Sequence, residues 1–215
     1  MISAYKVLWT VALAATAAGV FAAPSARAGN IIEEWAGVKA PAAPALKPAT
    51  VDNKTDALLV IDMVAETCNA QARPRCVETI PAIQKLLNDA RAKGMTVIYA
   101  LGISGKEILP ALAPKDGEPI VKSGADKFVH TELEKMLKDK GITGIIVVGT
   151  LAYGGVLHTA SQAAFRGFKV IVPVDGMSSP NANTLYSEQY TVWHLANGPG
   201  LATNVTLTKI DMIKF

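Results

Sequence analysis

The chain has 215 residues, 50% of them hydrophobic, with 21 Lys and Arg against 18 Asp and Glu for a formal net charge of +3. That length is enough for one domain with a substantial core. Much of the basic excess comes from Lys6 and Arg27; beyond them lysines and acids are interleaved, which excludes a nucleic-acid footprint.

Lys6 precedes the apolar run Val7–Ala23, and Ala26-Arg27-Ala28 closes it with small residues where a signal peptidase reads. This predicts a secretory signal peptide over residues 1–28, cleaved after Ala28, and a periplasmic or secreted protein. The alternative is a retained membrane anchor, but the run is short for a bilayer and is interrupted by Thr10, Thr16 and Gly19. No stable membrane anchor is therefore expected after cleavage. Residues 29–54 read as an arm rich in Pro and Ala, with Ile31–Trp35 as a short docked helix and Pro41–Pro48 unable to continue one. A partner-binding Pro-rich segment is the other reading of that arm.

The domain is expected over residues 55–215. Ala57–Ile61 is a β-branched, continuously apolar strand that ends on Asp62. An acid there faces either a ligand or the start of a helix that it caps. Cys68 and Cys76 are the only cysteines. In an oxidising compartment they predict one local disulfide, worth roughly 2.5 kcal/mol by loop closure, with two free thiols as the alternative. No CxxC spacing is present, which argues against structural zinc.

Pro81–Lys93 reads as an amphipathic helix stopped by Gly94, Thr96–Leu101 as the second strand and Ser104–Gly117 as a loop. Pro119–Val121 is a short strand ending at Lys122. Thr131–Lys140 is a helix whose Thr131 and Glu134 form a capping box, with Leu133, Met136 and Leu137 as its buried stripe. The segment from Gly144 to Pro173 is a βαβ unit: strands at Ile145–Val148 and Val170–Val172, and a crossover helix over Gly155–Phe168. Asp175–Leu185 follows as a rim loop, Ser187–Ala196 as a helix and Val205–Thr208 as a final strand. Alternating strands and helices define an α/β doubly wound domain.

Ligands bind such sheets at the carboxyl ends of the strands, which singles out Asp62, Lys122 and the turn Leu151–Gly155. A carboxylate beside an amine tunes proton transfer. A Gly-Gly turn opening a helix offers bare N–H groups to an anion.

Three segments carry a family resemblance: LLVIDM (Leu58–Met63), IVKSGADKF (Ile120–Phe128) with TELEKML after it, and Val147–Ser179. In order and spacing they resemble the isochorismatase-like, or cysteine hydrolase, superfamily. The resemblance implies a mainly parallel six-stranded sheet with helices on both faces. It implies a pocket with an Asp, a Lys and a nucleophilic Cys, matched here by Asp62, Lys122 and Gly155, so the thiol position holds glycine. It places a cis peptide at Thr150–Leu151 and oxyanion-facing N–H groups at Leu151 and Gly155. Phe128 and Tyr153 are expected at the substrate, and Trp193 and His194 are further candidates to line the pocket. The Asp-x-His-His metal run of nicotinamidases is missing, so neither metal nor cofactor is expected.

The expected function is an exported hydrolase of a small vinyl ether, ester or amide. Asp62 would be its general acid/base, with Lys122 as partner and no Cys nucleophile. The alternatives are an inactive pseudoenzyme that binds a small ligand in the same pocket, or recruitment of Cys68 or His158 as nucleophile. Sheet-flanking helices, through which relatives associate, leave a homo-oligomer open.

Overall fold

The computed structural model describes residues 29–215, so the expected signal peptide lies outside the described residues. The chain divides into two units, Met1–Ala40 and Pro41–Phe215. In the first, residues 29–40 form a turn held by Asn30 Oδ1, which accepts the Ile32 and Glu33 N–H groups, followed by one 3-10 turn at Trp35–Gly37.

The second unit is built on a parallel sheet. Its strands are β2 (Asp56–Ile61), β3 (Thr96–Gly102), β4 (Ile120–Ser123), β5 (Gly144–Thr150), β6 (Lys169–Pro173) and β8 (Val205–Thr208). They lie in the order β4-β3-β2-β5-β6-β8, and a two-residue strand, β7 (Met177–Ser178), pairs with the end of β5. The sheet is therefore parallel and doubly wound as expected, with seven strands. A separate pair joins β1 (Ala49–Thr50) to β9 (Ile213–Lys214), which ties the end of the Pro-rich segment to the C-terminus.

Both faces of the central strands are covered, which explains why their sequences do not alternate. On β2 and β5, Ala57, Leu59, Ile61, Ile145 and Val147 enter one core cluster, and Leu58, Val60, Ile146 and Val148 enter the other. The first face carries helices α2 (Leu133–Asp139), α3 (Leu157–Phe165) and α4 (Leu185–Asn197). The second carries α1 (Pro74–Ala92) through Ile83, Leu86, Leu87 and Ala90. Each fully buried Val, Leu or Ile side chain among them contributes about 1.5–3 kcal/mol.

Three local expectations change. Helix α1 begins at Pro74, not Pro81, because Pro74 supplies the first-turn proline and the exposed Pro81 is accommodated inside the helix. The Thr131–Glu134 capping box does not form: Thr131 Oγ1 donates to Lys127 O, and Glu134 pairs with Lys138 and Arg166. The crossover opens with a π-helical turn, Ala152–Val156, in which Gly154 leaves helical geometry, and regular helix starts only at Leu157. Among the described residues no helix is long and apolar enough to cross a membrane.

Candidate active site

Strand β2 delivers Asp62 past its carboxyl end in a left-handed conformation, φ 52°. That geometry costs a non-glycine residue roughly 1–2 kcal/mol, and local bonds fix it. The Asp62 N–H donates to Ala100 O, and Asp62 Oδ1 accepts the Gly102 N–H at the end of β3.

The partner of this carboxylate is Lys127. Its Nζ lies 2.9 Å from Asp62 Oδ2 and 3.2 Å from Oδ1, and it also donates to Gly124 O. Lys127 is 1% exposed, a cation that needs its pairing to be buried at all. Thr159 of α3 braces it, accepting the Lys127 N–H through Oγ1 and donating to Ala125 O.

Lys122, the expected partner, is an exposed residue whose Nζ donates to Gly105 O. The reason is strand parity: along β4, Val121 and Ser123 are buried while Ile120 and Lys122 are exposed. The chain then turns through Gly124–Asp126 and brings Lys127 back toward the sheet.

The third part is the turn after β5. Gly149 sits at φ +126°, and a Cβ there would stand 1.9 Å from Ile61 O, so β5 can meet the end of β2 only with glycine. The Thr150–Leu151 peptide is cis. Leu151 O accepts from Gly154 and Val156 N–H, while the Leu151 N–H has no acceptor among the described residues. A Cβ on Gly155 would stand 3.1 Å from Asp62 Oδ2 and 2.7 Å from Ile61 Cγ2. Position 155 is thus a short step from the carboxylate.

These groups line a cleft of about 450 Å³ that includes Asp62, Arg73, Lys127, Thr150, Leu151 and Gly155. A larger groove of about 690 Å³ lies at the amino ends of the strands, around Asp52, Asp56, Thr143 and Lys169. Its Asp56 carboxylate is already taken by the Asp52 N–H, and no buried cation converges there. The smaller cleft is the one that brings a carboxylate and a buried cation together. Among the described residues, no group of three or more His, Cys, Asp or Glu side chains is placed to hold a metal ion.

The other expected residues are placed as follows. Cys68 and Cys76 are joined in a disulfide, so neither is a free thiol. Phe128 is buried against Phe168, with Arg166 over its ring, in the core instead of the cleft wall. Tyr153 and His158 are exposed and do not line the cleft. Trp193 lies along a different groove with Pro41–Pro44, and His194 stacks on Tyr190. Sequence reasoning missed Lys127 and Arg73. Arg73 lies inside the disulfide loop, and burial draws its guanidinium below its ordinary value while Asp62 and Tyr153 pull the other way.

A parallel doubly wound sheet with a paired carboxylate and ammonium at its carboxyl ends has the make-up of a small-molecule site. The chain belongs to the isochorismatase family: the model of the Isochorismatase domain matches residues 56–198. It is 30% identical over 144 residues to the secreted isochorismatase effector Isc1 of Verticillium dahliae, a match covering 60% of this chain and 76% of that protein. It is 30% identical over 188 residues to a streptothricin hydrolase of Streptomyces noursei, covering 81% and 71%. The fold is similar to that of a cysteine hydrolase from Pseudomonas syringae pv. phaseolicola at TM-score 0.68 and 20% identity, covering 78% and 94%.

Proposed function

We propose that this protein is an exported hydrolase of a small molecule, a vinyl ether, ester or amide, that works without a thiol nucleophile. Asp62 moves the proton and Lys127, in place of Lys122, holds its carboxylate in position. The observation that carries the reading is the buried Lys127 clamped on Asp62 beside a glycine at position 155, in a chain whose two cysteines are bonded to each other. A residue at 155 would carry its side chain against Asp62 Oδ2, which is the place the resemblance gives to the family thiol. With glycine there, position 155 sets no side chain against the carboxylate.

The chemistry then runs through Asp62. On an ester or amide, the carboxylate takes a proton from water as the hydroxyl attacks the carbonyl carbon, and the leaving oxygen or nitrogen takes that proton back. The Leu151 and Gly155 N–H groups face the developing oxyanion. On a vinyl ether, protonated Asp62 gives its proton to the terminal carbon. Water adds to the resulting oxocarbenium centre, its proton returns to Asp62, and the hemiketal collapses to a ketone and an alcohol. Export rests on the N-terminal pattern and on the similarity to a secreted relative.

The test is a panel of small vinyl ethers, esters and amides assayed with wild-type protein and Asp62→Asn. Turnover by the wild type should fall about 10²–10⁴-fold in the variant, the usual range for losing a general acid/base. Full activity in Asp62→Asn overturns the mechanism. Ligand binding with no turnover by the wild type would make the protein a binding relative of these hydrolases.

A further inference from the structure

Four arginines lie among the described residues, and three of them have carboxylate partners. Arg75 makes two 2.8 Å bonds to Glu188, Arg91 makes bonds of 2.8 and 2.7 Å to Glu118, and Arg166 bonds Glu134 at 3.1 Å. Arg73 has no side-chain hydrogen bond or ion pair among the described residues, although it is partly buried and lines the cleft beside Asp62. An inward guanidinium without a protein partner forgoes charged hydrogen bonding that a bound group could restore.

The backbone around Arg73 is held for that purpose. The Cys68–Cys76 disulfide closes the loop that carries it, with both sulfurs in the core. Within the loop Asn69 Oδ1 accepts the Gln71 and Ala72 N–H groups, and Asn69 O accepts the Arg73 N–H at 2.9 Å. A second group from the same segment is also incomplete: the Thr67 hydroxyl, which lines the cleft, is buried with no hydrogen-bond partner among the described residues. Across the cleft the Thr150 hydroxyl is in the same condition.

Pairing decides what fits. Asp62 is already matched by Lys127. The other acid of the cleft, Glu66, is exposed and accepts the Glu107 N–H. The lining thus carries two acids and two cations, and of these four only Arg73 has no side-chain bond among the described residues. A planar fork of donors with a hydroxyl nearby matches a carboxylate, which accepts two parallel bonds from a guanidinium.

We infer that Arg73, set by the disulfide loop, binds a carboxylate of the substrate and makes small organic acids the preferred ligands of this cleft. The inference rests on reading the Asp62 cleft as the reaction site. The reacting bond of such a molecule would lie toward Asp62 and Gly155, with its acid group toward the loop. Arg73 is then a residue of recognition, and its loss should act on binding far more than on the chemical step.

The test is a binding titration, so it does not depend on turnover. Benzoate, phenylacetate and butyrate are each compared with the matching amide in wild-type protein, Arg73→Gln, Arg73→Lys and Asp62→Asn. The wild type should bind at least one acid tenfold or more tighter than its amide. Arg73→Gln should erase that preference while leaving amide binding within about twofold, and Arg73→Lys should restore part of it. Asp62→Asn should keep the preference. Opening the disulfide with reductant should weaken acid binding in the wild type and leave Arg73→Gln unchanged. No acid preference in the wild type, or an undiminished one in Arg73→Gln, overturns the inference. Loss of turnover in Asp62→Asn with no effect of Arg73→Gln would leave the hydrolase reading standing and remove this one alone.

Discussion

Two shielded ion pairs stand at opposite ends of this sheet's strands, Arg91–Glu118 just before β3 and β4 begin and Lys127–Asp62 beyond the ends of β4 and β2, and they differ in what they leave unused. Arg91 and Glu118 are 12% and 13% exposed and saturate each other. The carboxylate accepts two bonds from the guanidinium and a third from the Lys115 N–H, and Arg91 goes on to Tyr99 and Ala113 O. Tyr99 completes the set by donating to Leu112 O, and burial, partly offset by Arg91, pushes its phenol up to about 12. Nothing in that group awaits a partner. Lys127 and Asp62 are buried more unevenly, at 1% and 21% exposed, so the acid is the more open of the two to the cleft. Around it are an unpaired arginine, two unpaired hydroxyls and an amide without an acceptor. A satisfied buried pair staples a loop; a buried cation that presents an acid to a cleft leaves that acid free to meet a ligand.

Changes at the two pairs should therefore fail in different ways. Beyond changes to the Asp62–Lys127 pair itself, the largest effect is expected from Gly155→Ala. Its methyl group would crowd Ile61 and Asp62, which costs about 1–3 kcal/mol of stability in a packed site. The same crowding should lower turnover by about tenfold or more. Denaturant unfolding and steady-state kinetics on one preparation check both. Unchanged turnover would mean that the reacting atoms do not pass position 155.

Glu118→Gln should give the opposite profile. Losing charged hydrogen bonds at a well-shielded site costs about 1.5–3 kcal/mol, while kcat stays within about twofold of the wild type. An activity loss that exceeds the stability loss would make the Arg91 group part of the site.

A smaller effect is expected from acid. Burial works to raise both the Glu118 and Glu188 carboxyls, but Arg91 and Arg75, with backbone N–H donors, hold them below their ordinary 4.5. Their contribution to stability is complete above the unfolded value of about 4.3 and disappears as pH falls through the lower folded values. Unfolding free energy should decline below about pH 4.5, and Glu118→Gln should show a shallower decline than the wild type.

The sequence carried the scaffold well because burial on both faces writes itself into composition. Ala57–Ile61 and Ile145–Val148 are unbroken apolar runs, and each lies within an observed strand. Asp62 was legible for the same reason, as the first charge after such a run. Lys127 was not. A search for charges at strand ends stops at Lys122, yet the apolar Val121 beside it already fixes the inward parity of β4 and sends Lys122 outward. The residue that returns does so through a turn, and turns have no period to read. Phe128 misled for a related cause: an aromatic six residues after Lys122 fits a pocket wall, but the turn that brings Lys127 in packs Phe128 on Phe168. Arg73 was hidden in a loop without pattern, although the two cysteines bracketing it, just after Asp62, were a signal that this loop is fixed at the site. The two-residue strands Met177–Ser178 and Ile213–Lys214 are too short to leave a periodic trace.

The central claim, that a Lys127-held Asp62 is the reacting group, is tested most directly by comparing Lys127→Met with Lys122→Met on the substrate the wild type turns over best. With both variants folded, Lys127→Met should lose about 100-fold or more in kcat, as for removal of a positioned charge, and Lys122→Met should stay within about twofold. Equal losses, or a loss confined to Lys122→Met, would contradict the account.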